Sequence, residues 1–171
     1  MVAFVSVMGC SAVTDSGGSP PKEMHPTEAK KLAGKLSSDL FDMVRLQGKV
    51  TPAGPAVMAS DEGGGDYATQ HVWSISRLSS QELTRGFYRL REELPKKGWR
   101  ITHFGRASSA ARQQEMEAVR KKDGYSLSVE LWVKSSEKID GHVVGPKSER
   151  ILFSVGSPTY RSPKGVDPND Y

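Results

Sequence analysis

The sequence predicts an α+β fold, a two-layer sandwich in which a mainly antiparallel sheet of about five strands carries a helix on one face, with an additional N-terminal helix. Three observations predict it: apolar residues at three- and four-residue steps over residues 26–47, a strand–helix–strand pattern over residues 70–107, and an alternating hairpin over residues 115–134. Segregated helices and an antiparallel sheet form two layers. The alternation requires one covered and one open sheet face.

The first helix is predicted over residues 26–47. Pro26 and Thr27 suit its first turn, and Gly48 suits its end. Residues 48–69 contain two prolines, several glycines and no regular period, so we expect a loop there. The glycine run in this segment has no Lys-Ser or Lys-Thr pair after it, which favours a flexible connector over a phosphate-binding loop.

The block over residues 70–107 predicts a strand, a helix and a second strand. Ser79 with Glu82 three residues later is typical of a capping box at a helix start. A glycine preceded by two lysines suits the end of the same helix. Trp73 and Trp99 each alternate with an isoleucine on the flanking strands, so we expect both indoles in the core beneath the helix.

The hairpin is the clearest strand pair in the sequence. Asp123 and Gly124 lie between its two alternating segments, where they are expected to supply the positive φ angles of a tight turn. The returning strand carries aliphatic residues on one face and Ser128, Glu130 and Trp132 on the other. The aliphatic face is therefore expected in the core and the other face mostly in solvent. A further alternating segment, residues 150–157, predicts the last strand.

Composition and charge exclude several classes of protein. The chain has 171 residues, 36% of them hydrophobic, and a formal net charge of +4, as expected for one water-soluble domain with tails. No apolar run approaches the ~18 residues of a membrane-spanning helix. The single cysteine, Cys10, excludes an internal disulfide and a multi-thiolate metal site. The modest, dispersed basic charge has no interleaved aromatic residues, which argues against nucleic-acid binding.

The N-terminal segment indicates where the protein is located. Residues 1–8 are nearly all apolar, and a Gly/Ser/Pro-rich stretch follows Cys10. Val7-Met8-Gly9-Cys10 resembles the lipobox of bacterial lipoproteins, and the layout is similar to small secreted lipoproteins of high-GC Gram-positive bacteria. The resemblance implies that the apolar segment is part of a signal peptide. It also implies that Cys10 carries fatty acyl chains such as palmitate and that the protein is held on the outer, extracytoplasmic face of the cell membrane.

The predicted organisation follows from this resemblance and from the patterns above. It comprises a signal-peptide remnant (residues 1–9), a flexible tether (10–25), a single α+β domain (26–157) and a disordered tail (158–171) that contains three prolines. In an alternative interpretation, residues 2–8 form a buried strand and Cys10 is a small core side chain. The tether that begins directly after the cysteine favours the lipid anchor.

No catalytic residue, metal ion or cofactor is predicted. The four histidines lack HxH and HxxxH spacing, and His71 and His103 are expected more than about 10 Å apart on their two parallel strands. No Gly-x-Ser-x-Gly motif occurs. Glu115, Glu117 and Glu130 suggest a carboxylate pair across the hairpin, but solvated strand faces commonly carry such charges.

Trp132 is the best candidate for contact with a partner, together with Glu130 and Ser128 on the same strand face. The indole is expected to be either exposed or covered by the N-terminal helix or a long loop. The sequence favours a non-enzymatic interaction or cell-envelope module, anchored to the membrane through Cys10, with an envelope protein or polymer as its partner. The alternative is a soluble small-ligand-binding domain or an enzyme that uses the open sheet face near Trp132. Neither the ligand nor the oligomeric state follows from the sequence.

Overall fold

The protein combines two α-helices with a large sheet. The computed structural model describes residues 20–60, 64–109, 112–134, 138–139, 142–143, 146 and 148–171. Within these residues the chain forms a nine-stranded, mostly antiparallel sheet and a separate two-stranded pair. The predicted mixture of helices and antiparallel strands is confirmed. The predicted two-layer sandwich of about five strands agrees only approximately, because the sheet has nine strands. Cys10 and the predicted signal-peptide remnant lie outside the described residues.

The described part of the chain contains two helices, and its strands range from two to eleven residues in length. The helices are α1 (Pro26–Val44) and α2 (Ser80–Glu93), and a 3₁₀ turn at Pro95–Lys97 follows α2. The strands are β1 (Lys22–Glu23), β2 (Lys49–Val50), β3 (Ala56–Ala59), β4 (Asp66–Ser76), β5 (Trp99–Arg106), β6 (Gln114–Arg120), β7 (Ser126–Trp132), β8 (Lys138–Ile139), β9 (His142–Val143), β10 (Arg150–Gly156) and β11 (Tyr160–Arg161).

The five long strands form the body of the sheet in the order β4-β10-β7-β6-β5. Each is antiparallel to its neighbour. The short strands β2, β3 and β11 pair antiparallel with β4, and β1 pairs parallel with β11. Strands β8 and β9 pair with each other. The long strands correspond to the predicted ones, because each is long enough to show an alternating pattern.

Both helices pack against the same face of the sheet, which we call the inner face. Helix α1 contacts β4 and β10, and helix α2 contacts β10 and β7. Trp73 and Trp99 are each 3% exposed, which confirms that both belong to the core. Trp73 stacks on Phe153 of the neighbouring strand with 4.0 Å between ring centroids. Alternate residues of the long strands therefore form the core beneath the helices.

The ends of the helices follow local chemistry. The capping box of α2 is confirmed: the Ser79 hydroxyl accepts from the Glu82 amide at 3.3 Å, and the Glu82 carboxylate accepts from the Ser79 amide at 2.9 Å. Helix α1 ends at Val44, before the predicted residue 47. There Arg45 adopts a left-handed φ of 52°, and Arg89 donates to the Val44 carbonyl at 2.8 Å.

One loop prediction is wrong, and the prediction for the hairpin turn is only partly confirmed. The predicted loop over residues 48–69 contains β2, β3 and the first part of β4, since pairing with β4 orders strands too short to show a sequence period. In the hairpin turn, Gly124 has a φ of 75° and Asp123 has no positive φ. Arg120 donates its amide to the Tyr125 carbonyl at 2.8 Å, so the turn is longer than the predicted tight turn.

The C-terminal segment is also ordered, contrary to the predicted disordered tail at residues 158–171. Tyr160 is 3% exposed and packs against Tyr67 with 5.9 Å between ring centroids. Arg161 forms a two-point ion pair with Asp66, with donor–acceptor distances of 2.7 and 2.9 Å. The segment is fixed because one aromatic side chain enters the core. Strand β1, which pairs with β11, likewise orders part of the predicted tether at residues 10–25.

Candidate functional site

The residues predicted from the sequence to contact a partner lie on the face of the sheet opposite the helices. We call it the outer face, and it is formed by alternate residues of the long strands. Its central side chains are Val72, Ser74, Ser76, Glu115, Glu117, Ser128, Glu130, Trp132, Arg150, Leu152 and Ser154. Val72, on β4, is 45% exposed. The outer face is therefore a mostly polar surface with a few apolar side chains.

Trp132 is partly buried on this face and has two charged neighbours. Its indole Nε1 donates to Glu130 Oε2 at 2.7 Å. The Arg150 guanidinium lies 5.4 Å from the centroid of the indole. Because α1 packs on the inner face, the N-terminal helix does not cover Trp132, which removes one of the expected alternatives. Whether Trp132, Glu130 and Ser128 contact a partner stays a prediction.

Two carboxylates face each other at the middle of the outer face. Glu130 on β7 lies directly opposite Glu115 on β6, whereas Glu117 lies opposite Ser128. Like charges in this arrangement repel, so each carboxylate needs its own partner. Glu130 accepts from the indole, and Glu115 lies 3.3 Å from His103 Nε2. The arrangement offers hydrogen-bond acceptors to a ligand that carries hydroxyl or ammonium groups.

The hydroxyl groups of the outer face form cross-strand hydrogen bonds. The Thr51 and Ser74 hydroxyl oxygens lie 2.8 Å apart. Gln70 donates its side-chain amide to the Ser154 hydroxyl at 3.2 Å. Hydroxyl groups both donate and accept, so this side of the face can exchange its internal hydrogen bonds for bonds to a polar ligand.

The structure separates the two strand histidines. Strands β4 and β5 run in the same direction, but three strands lie between them, which places His71 and His103 roughly 19 Å apart across the sheet. The predicted distance of more than about 10 Å between His71 and His103 is thus confirmed. Most of this distance comes from the three intervening strands, and less comes from the offset along the strands on which the prediction was based. Among the residues that the structure describes, no group of three or more His, Cys, Asp or Glu side chains is placed to hold a metal ion.

One serine–histidine pair was missed by the sequence analysis. His71 Nδ1 lies 2.7 Å from the hydroxyl of Ser37 on α1, and His71 Nε2 lies 2.8 Å from the Ala53 carbonyl. The carbonyl accepts only, so Nε2 carries the proton and Nδ1 accepts from Ser37. Ser37 is 4% exposed. The two hydrogen bonds of His71 therefore hold together α1, β4 and the segment between β2 and β3. No sequence pattern signals a contact across 34 positions.

A cavity of about 560 Å³ opens where β4 turns into α2, and we call it the end cavity. Its polar lining comprises Lys49, Thr51, Ser76, Arg77, Lys134, Ser148 and Glu149. Glu149 is held in place: the Ser80 hydroxyl donates to its carboxylate, and the Lys134 amide donates to it at 2.9 Å. These two bonds lower the pKa of the Glu149 carboxyl. Sequence reasoning missed this cavity because its lining comes from four distant segments.

The comparisons with known proteins identify no relative: no family model, no curated protein and no solved structure matches the chain significantly. In the described part of the chain, no helix is both long and apolar enough to cross a bilayer.

Proposed function

We propose that the protein is a non-enzymatic lipoprotein of the cell envelope, held on the outer face of the membrane by acyl chains on Cys10. The observation that carries the proposal is the Val7-Met8-Gly9-Cys10 sequence directly before a Gly/Ser/Pro-rich segment. A thiol is the nucleophile that takes a diacylglyceryl group as a thioether. Each buried CH₂ contributes about 0.8 kcal/mol, so two or more chains anchor far more stably than one.

The folded domain supports a tethered arrangement. The core residues of the described part of the chain lie between Ala29 and Tyr160. Eleven residues separate Cys10 from Lys22, the first residue of β1, so the lipobox-like sequence and the folded domain are separate in the chain. The domain is a two-layer α+β sandwich in this proposal, with both helices on one layer and the outer face free to meet an envelope protein or polymer.

The partner is assigned to the outer face around Trp132. An indole with one polar edge suits a surface that is partly apolar and partly hydrated. Glu130, Glu115 and the serine hydroxyls supply acceptors and donors beside it. These features fit a hydroxyl-rich or amine-bearing partner better than an apolar one.

The test of the anchor is cell fractionation of the protein expressed from its own locus. Wild type is compared with Cys10→Ser and with Ser16→Ala, a matched substitution in the same segment outside the lipobox-like sequence. We expect wild type and Ser16→Ala in the membrane fraction, and Cys10→Ser released or retained as an unprocessed precursor. A Cys10→Ser chain that is processed to the mature length and still reaches the membrane fraction at the wild-type level contradicts the proposal.

A second candidate function is a soluble small-ligand-binding domain or an enzyme. The facing carboxylates Glu115 and Glu130 favour it, since paired carboxylates serve general acid–base chemistry. This alternative requires a protein with an unmodified Cys10 that stays in the soluble fraction, so the same fractionation distinguishes the two functions.

A further inference from the structure

Among the residues that the structure describes, the lining of the end cavity has three cationic side chains and one carboxylate. Lys49, Arg77 and Lys134 line it, and Glu149 is its carboxylate. None of the three cations forms a salt bridge with another side chain in the described part of the chain. Glu149 already accepts from Ser80 and from the Lys134 amide. The cavity is therefore net positive, with its internal carboxylate already engaged.

Arg150 on the outer face places a fourth cation next to the end cavity. The strand register places Lys49, Ser76, Arg150 and Trp132 side by side on β2, β4, β10 and β7. Neighbouring strands lie about 4.8 Å apart, so the row is roughly 14 Å long from end to end. Arg150 thus lies one strand beyond Ser76, which lines the cavity. The row connects the cavity to the surface around Trp132.

We propose that the end cavity binds a phosphate-type oxyanion carried by a component of the cell envelope. A guanidinium offers paired N–H donors that match phosphate geometry, and the lysine ammonium groups supply point charges. Thr51 and Ser76 add hydroxyl groups to the lining. A volume of about 560 Å³ accommodates a phosphate together with part of the group that bears it.

The position of the cavity favours a ligand away from the protein's own membrane anchor. The cavity lies at the Ser76 end of β4, whereas β1, where the tether enters the domain, is joined through β11 to the Tyr67 end. These two ends are roughly 30 Å apart along the strand. This choice of an envelope ligand rests on the proposed function, but the anion chemistry of the cavity does not.

The test is calorimetric titration of the full chain, expressed without lipid attachment, with inorganic phosphate at low ionic strength. The triple variant Lys49→Gln, Arg77→Asn, Lys134→Gln is compared with wild type. Asn is used at position 77 because Arg77 has a φ of 62°, which Asn tolerates. We expect saturable binding by wild type and affinity at least about tenfold weaker in the triple variant.

A matched control removes three exposed cations elsewhere, with Lys31→Gln, Arg100→Gln and Lys121→Gln. We expect it to stay within about twofold of wild type, since screening weakens distant surface charges. An equal loss of affinity in the control, or no binding by wild type, overturns the proposal. Thermal unfolding checks that each variant folds, and single Lys49→Gln and Lys134→Gln variants, at exposed positions, provide the same comparison if the triple variant does not.

Two further titrations distinguish the source of the phosphate. Polyglycerol phosphate represents an envelope polymer, and vesicles of phosphatidylglycerol represent a lipid headgroup, with phosphatidylcholine vesicles as the neutral comparison. Polymer binding that depends on the three cations supports the proposed source, and vesicle binding that depends on them assigns the site to headgroups. Binding to either that is unchanged in the triple variant overturns the site. Acylation of Cys10 plays no part here, so this outcome is independent of the anchor test.

Discussion

At the scale of single residues, Trp132 shows what alternation reveals and what it omits. The period-two pattern places Trp132 opposite the aliphatic face, and the structure agrees. The pattern does not reveal Arg150, which comes from a strand eighteen positions further along the chain and meets Trp132 through the register of β7 and β10. Contacts of this kind depend on sheet order, which a single sequence does not encode locally.

The indole–carboxylate bond leads to a stability prediction. Trp132→Phe removes the donor to Glu130, and Glu130→Ala removes the acceptor. A double-mutant cycle by urea unfolding is expected to give a coupling free energy of about 1 kcal/mol, since a hydrogen bond to a charged group on a partly buried surface contributes about that much. Additive effects of the two substitutions would show that the bond contributes nothing to stability.

Tyr67 gives a prediction at alkaline pH. The pKa of Tyr67 is raised from 10.0 to about 12. Burial is the largest cause, followed by the neighbouring Tyr125 and Glu28. The folded state therefore holds its proton more tightly than the unfolded state. This stabilisation is fully present below pH 10 and is lost as the pH rises toward about 12. We expect the free energy of unfolding to fall across that window.

Tyr67→Phe removes this ionisation and is expected to reduce the alkaline fall in unfolding free energy measured by urea titration. The variant also loses the 2.6 Å bond from the hydroxyl to the Met24 carbonyl, which costs about 1 kcal/mol at neutral pH. Tyr88→Phe, at a side chain 42% exposed, serves as the control and is expected to leave the fall unchanged. An alkaline fall in Tyr67→Phe as steep as in wild type would contradict the assignment.

At the scale of elements, long periodic segments were predictable and short ones were not. The two helices and five long strands each carry an amphipathic or alternating pattern, and the Ser79–Glu82 capping box is local to four residues. Strands β1, β2, β3 and β11 have two to four residues each, and pairing rather than pattern defines them. The end cavity was missed because its lining comes from β2, the end of β4 and two further segments that are distant in the sequence.

The start of α2 yields a prediction in acid. The pKa of Glu149 lies below its ordinary 4.5. The hydrogen bond from the Ser80 hydroxyl is the largest cause, followed by the bond from the Lys134 backbone amide. A lowered carboxyl pKa stabilises the folded state above pH 4.5, and this contribution is lost as the pH falls through the folded-state pKa. We expect Glu149→Gln to be less stable than wild type at neutral pH, with the difference shrinking below pH 4.5. Urea unfolding across pH 3–7 measures this, and a difference independent of pH would contradict it.

At the scale of the whole molecule, the sheet places three structural features in different regions. The inner face and both helices form the core, the outer face carries Trp132, and the end cavity lies at the Ser76 end of β4, opposite the end that pairs with β11. The fold class and the placement of Ser128, Glu130 and Trp132 on one face were predictable from the sequence. The strand order, the ordered C-terminal segment and the cavity were not, because each depends on contacts between distant parts of the chain.

The most direct test of the account is the intact mass of the protein extracted from the membrane of cells that express it from its own locus. A lipid anchor at Cys10 requires a mature chain that begins at Cys10 and carries the added mass of a diacylglyceryl group, with or without a further acyl chain on the new N-terminus. A soluble chain that begins at Met1 with an unmodified cysteine would contradict it and would direct the search for a ligand to the soluble alternative.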